Sequence, residues 1–89
     1  EGDDRTRMQF RQRAMQRARQ RMLQSVKSAD VIVTNPTHFS VALKYSMERG
    51  SAPKVVAKGQ DHMAFKIREI ARQAGIPIVE RKPLARALY

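Results

Sequence analysis

The residues with the clearest chemical possibility are Asn35 and Pro36, followed by Thr37 and His38. An asparagine side chain is usually attacked by the backbone nitrogen of the next residue. Proline has no N–H, so that route is closed at Asn35. The remaining five-membered ring closes the other way. The Asn35 carboxamide nitrogen attacks Asn35's own carbonyl carbon, the Pro36 nitrogen leaves, and the chain is cut with a succinimide on the new C-terminus. Such a step needs the amide held near its carbonyl, a route for the proton and a donor for the developing oxyanion. A constrained turn can hold the amide by storing local strain. His38 stands at the far corner of a four-residue turn, where it can support proton transfer through water. Thr37 supplies a backbone N–H and a hydroxyl that can fix the turn. Taken alone, Asn-Pro is weak evidence, because most such pairs are inert turns.

Other constellations are poorer. The chain has no cysteine, and its only histidines are His38 and His62. Two histidines without a third ligand make a weak metal site, so neither metal nor cofactor is expected. Asp61-His62 reads as a helix start. Ser40, Ser46 and Ser51 lack the surroundings of a nucleophilic serine. The chemistry at Asn35 would be single-turnover self-cleavage, not that of an enzyme.

Those residues need a scaffold, and 89 residues provide one small domain. No apolar run approaches the length of about 20 residues that spans a bilayer. The first residue is Glu1, so an upstream membrane portion is expected to be missing from the sequence. The net charge is +10, from 18 Lys and Arg against 8 Asp and Glu. It is spread along the chain and favours no single partner class. Nucleic acid is not expected, because Phe10 is the sole aromatic among the N-terminal arginines and base stacking has little support. A membrane-surface role for that segment stays open.

Residues 1–27 lack proline and are rich in Arg, Gln, Met and Ala, which predicts a long helix. Met8, Met15 and Met22, with Ala18 and Val26, mark one narrow apolar stripe, clearest in the second half. Ala29 to Thr34 predicts a short strand buried on both faces, and residues 35–38 a turn. Phe39, Val41, Leu43 and Tyr45 alternate with Ser40, Ala42, Lys44 and Ser46, so a strand with one buried and one wetter face is expected. Lys54 to Lys58 predicts a third strand, ended by Gly59. Asp61 is a candidate N-cap for a helix whose apolar face is Ala64, Ile67, Ile70, Ala71 and Ala74, with Gly75 closing it. Ile76 to Glu80 predicts a fourth strand, and Pro83 opens a last turn, Leu84 to Leu88. The fold class is α/β: a small mixed four-stranded sheet flanked by helices, with a long N-terminal linker helix. The strand–helix–strand unit from Lys54 to Glu80 is expected to be parallel with a right-handed crossover.

Asn35-Pro36-Thr37-His38 resembles the cleavage motif of the type III export switch proteins, the FlhB family. Residues 18–22 leading into 29–33 look like that family's helix and first strand. Residues 41–45, 52–59, 67–71 and 83–89 are similar to its flagellar branch. The resemblance covers about residues 15–89. Phe39, Ser40 and the basic pair Arg81-Lys82 depart from the flagellar pattern without touching the reacting atoms.

The resemblance implies an Arg-rich linker helix over 1–27 and an autocleaving export-switch domain over 28–89, cut at 35/36 into two associated pieces. It implies tethering through an upstream membrane domain, at the cytoplasmic face of the bacterial inner membrane. The expected partners are export-gate membrane proteins, a hook-length ruler protein and rod and hook export substrates. Cleavage would let export change from rod and hook to filament substrates. In that family the residue matching Asn35 performs the cyclisation, and those matching Pro36, Thr37 and His38 shape the site.

Overall fold

The computed structural model describes residues 3–36 and 38–89. Helix α1 spans Asp4–Ser25 and runs into a 3₁₀ turn, Val26–Ser28. Strands β1 (Val31–Asn35), β2 (Phe39–Lys44) and β3 (Lys54–Gln60) follow, then α2 (His62–Gln73), β4 (Ile78–Glu80) and α3 (Lys82–Leu88). The element order and mixed sheet match the expected fold class. Asn35 belongs to the end of β1 and not to the turn, and α3 begins two residues earlier than expected.

Asp3 starts α1: its carboxylate accepts from the Thr6 N–H at 2.8 Å and the Thr6 hydroxyl at 2.9 Å. Those bonds, the backbone one foremost, hold the Asp3 carboxyl below the usual carboxylate range. The apolar stripe of α1 is buried only where the helix reaches the domain. Met8 and Met15 are 58% and 53% exposed, whereas Met22 and Leu23 pack on the core and Val26 is wholly buried. The rest of α1 projects, which raises the radius of gyration to 15.3 Å, against about 12 Å for a compact chain of this length.

The sheet order is β3-β2-β1-β4. The run Val31-Ile32-Val33 occupies β1, a central strand, as its three β-branched residues predict. It pairs antiparallel with β2 and parallel with β4. Consequently β3 and β4, although they point the same way, lie on opposite edges and do not pair with each other.

One-sided burial of β2 does not hold: Ser40, Val41, Ala42 and Leu43 are all buried. The physical reason is that both sheet faces are covered. Ile32, Ala42 and Ala57 pack under Ile67 and Ala71 of α2, joined by Val26 and Ala29. Val33, Val41 and Leu43 pack under Ala85 of α3, joined by Val31, Phe39 and Leu88. Alternation along β2 therefore sorts residues between two cores, not between core and water.

Strand β3 continues through Gly59 to Gln60 instead of ending there. Asp61 occupies the N-cap position of α2, but its side chain makes no capping bond. Gly75 closes α2 with φ 73°, its N–H bonding Arg72 at 3.2 Å and the Ile76 N–H bonding Ala71 at 2.8 Å.

Candidate functional site

Residue Asn35 is the last of β1 and sits opposite Phe39 in the β1–β2 register, one step beyond the Thr34–Ser40 pair. The chain has reversed direction between Asn35 and Phe39. Within this hairpin the His38 N–H donates to the Asn35 carbonyl oxygen at 3.0 Å. That oxygen would carry the negative charge if the Asn35 carbon were attacked, so one oxyanion donor already points at it. The sequence points to the Thr37 N–H, not that of His38, and Thr37 lies outside the described residues.

The hairpin is tied to the next corner. The His38 carbonyl accepts from the Asp61 N–H at 2.9 Å. Asp61 holds φ 51° and ψ −113°, a positive-φ conformation that suits glycine best. The neighbouring Gly59 is required by packing: a Cβ there would lie 2.6 Å from the Met63 Cβ. The His38 ring is exposed at the surface, with its centroid 6.2 Å from that of Phe39.

On the α2 face, a short polar chain runs beneath the hairpin. The Thr34 hydroxyl donates to the Phe39 carbonyl at 2.8 Å. Having spent its proton there, it accepts from the Ser40 hydroxyl at 3.2 Å. Ser40 in turn accepts from the Arg68 guanidinium at 3.2 Å. Thr34 and Ser40 are 4% and 0% exposed, so these bonds remove the cost of burying two hydroxyls. They also fix both sides of the hairpin immediately before Asn35 and after His38.

The opposite face belongs to α3. Thr34 pairs with Glu80 in the β1–β4 register, and the Thr34 carbonyl accepts from the Arg81 N–H at 3.0 Å. That places the start of α3 beside Asn35. The two share an open groove lined by Asn35, Lys82, Pro83, Arg86 and Ala87. Farther along, Phe39 packs on Tyr89 with ring centroids 4.8 Å apart.

The sequence-predicted residues Asn35, Pro36 and His38 thus come together in one hairpin. His62 does not join them: it lines a separate groove between α1 and α2 with Arg19, Gln20 and Lys66. Among the described residues no three His, Cys, Asp or Glu side chains form a group able to hold a metal. Sequence reasoning missed Thr34, Ser40, Arg68 and Asp61 as supports and Lys82 and Arg86 as neighbours. Only the basic Arg81-Lys82 pair gave a signal.

The profile of the FlhB HrpN YscU SpaS family matches residues 1–89. The chain is 53% identical, over its whole length, to the flagellar biosynthetic protein FlhB of Bacillus subtilis, and spans 25% of that relative. A crystal structure of the cytoplasmic domain of FlhB from Shewanella putrefaciens is 55% identical, with a TM-score of 0.74, over 80% of this chain and 54% of that one. Crystal structures of the EscU C-terminal domain, with a proline or the asparagine before it replaced by alanine, are 37% identical. Each has a TM-score of 0.70 and covers 76% of this chain and 67% or 68% of its own. Among the described residues no helix is long and apolar enough to cross a membrane. With the match running from the first residue to the last, the chain belongs to the FlhB HrpN YscU SpaS family.

Proposed function

We propose that this domain cuts its own backbone between Asn35 and Pro36 and serves as the switch component of a flagellar type III protein-export gate. The observation that carries the reading is the 3.0 Å bond from the His38 N–H to the Asn35 carbonyl, at a residue whose backbone is clamped by β1. The bond polarises the carbonyl that the Asn35 amide would attack and receives the charge that develops. The C–N bond forms within Asn35 as the Asn35–Pro36 bond breaks. The amide proton passes through water, with His38 as relay, to the departing Pro36 nitrogen. No group is regenerated, so the reaction runs once per chain. Structurally similar EscU domains were solved with an asparagine, or the proline that follows it, replaced by alanine, which supports looking to an Asn-Pro pair.

On this reading residues 1–27 link the domain, at the cytoplasmic face of the inner membrane, to an upstream membrane portion. The partners are export-gate membrane proteins, the hook-length ruler and rod and hook substrates, and the cut permits the change to filament substrates. Freeing Pro36–His38 reshapes the surface those partners meet. Intact mass spectrometry tests the chemistry: incubation at neutral pH should give two masses divided after Asn35, and Asn35→Ala should give one. A chain that stays whole with its fold intact sinks the proposal.

A further inference from the structure

The groove beside Asn35 holds two cations, Lys82 and Arg86, and among the described residues of the uncut chain nothing accounts for them. They stand at i and i+4 on α3, where like charges repel. Neither forms an ion pair among the described residues. The nearest acid in sequence, Glu80, is held in the β4 ladder opposite Thr34 and also lacks an ion pair among them. An uncut Asn35-Pro36 bond carries no charge to offer them.

We infer that Lys82 and Arg86 form the docking site for the carboxylate that self-cleavage creates at Asn35. The inference rests on the cleavage reading above. Ring closure joins the Asn35 side-chain nitrogen to its backbone carbon, breaks the bond to Pro36 and leaves a protonated proline amine. Addition of water then opens the succinimide and releases one carboxylate on residue 35, whichever ring carbonyl is attacked. That anion arises in the groove that both cations line. An arginine and a lysine around one carboxylate give charge-assisted bonds. The site is assembled by the fold: parallel pairing of β1 with β4 and the Arg81 N–H bond to Thr34 set α3 against the end of β1. Cleavage thereby replaces a lost covalent link with an ionic one, and fastens the new end of β1 to α3.

The test compares the Lys82→Gln, Arg86→Gln double variant in two backgrounds, the self-cutting chain and Asn35→Ala. Samples of the first are checked by intact mass to be fully cut. The piece ending at Asn35 should exchange with an isotope-labelled copy about three- to tenfold faster when the cations are gone, the range for partly exposed charge-assisted pairs. High salt should erase that difference. In the Asn35→Ala background, which has no carboxylate, the thermal midpoint should not fall. A Lys82→Arg, Arg86→Lys variant keeps both charges and should exchange like the parent, which controls for damage to α3. Unchanged exchange, or an equal loss of stability in both backgrounds, would overturn the docking site while leaving cleavage standing. A single uncut mass in the self-cutting chain would overturn both.

Discussion

In the proposed cleavage at Asn35 the two reacting groups belong to one residue, so geometry alone decides whether they meet. The strand fixes the backbone and the His38 N–H fixes the carbonyl oxygen. The imidazole of His38 is a different matter, because it is exposed at the surface. In the proposed cleavage its contribution would be limited to moving a proton that water can also move. His38→Ala keeps the backbone N–H and should slow the appearance of the two fragments by about 10²-fold, the lower end for general acid–base groups. A mass-spectrometric time course at neutral pH checks this. Complete loss of cutting with the hairpin intact would make the ring indispensable. Asn35 could be singled out as a candidate from sequence because an Asn-Pro pair leaves one ring closure open, and that argument needs no knowledge of the fold. Lys82 and Arg86 were not, because their nearness to Asn35 depends on a parallel pairing between strands far apart in the chain.

The corner between β3 and α2 supports the hairpin through the Asp61 N–H bond to His38. Its packing leaves no room at Gly59. Gly59→Ala should push Met63 and the start of α2 away, at a cost of about 1–3 kcal/mol typical of overpacked sites. Asp61→Gly keeps the N–H and relieves a positive φ, and should leave stability equal or raise it by up to about 1 kcal/mol. Chemical denaturation of uncut Asn35→Ala versions measures both, and an unperturbed Gly59→Ala would refute the account of this corner. The same corner marks the limit of local pattern reading. Asp61 has the right residue type for a cap, yet the turn it occupies turns its backbone into the donor and leaves the side chain without that role. The alternation along β2 likewise carried the strand assignment but not its burial. A period of two reports two unlike faces, and only the later helices α2 and α3 decide that both are dry.

For the whole molecule, a cut after residue 35 divides the protein between neighbouring central strands. The first piece keeps α1, the 3₁₀ turn and β1, and the second keeps β2, β3, β4 and both later helices. Losing the first piece would strip β4 of its strand partner and open one side of β2. It would also expose Val26, Ile32 and Val33, which are 0–5% exposed in the assembled domain and worth about 1.5–3 kcal/mol each. Separation and unfolding should therefore be one event. Before the cut that event is unimolecular, and its midpoint is independent of concentration. Afterwards it releases two chains, and mass action makes the midpoint fall on dilution. Calorimetry over a hundredfold dilution series should move the cut protein's midpoint downward and leave Asn35→Ala fixed. A cut sample whose midpoint ignores concentration would mean that the pieces do not part when the sheet melts, contrary to the sharing of one sheet between them.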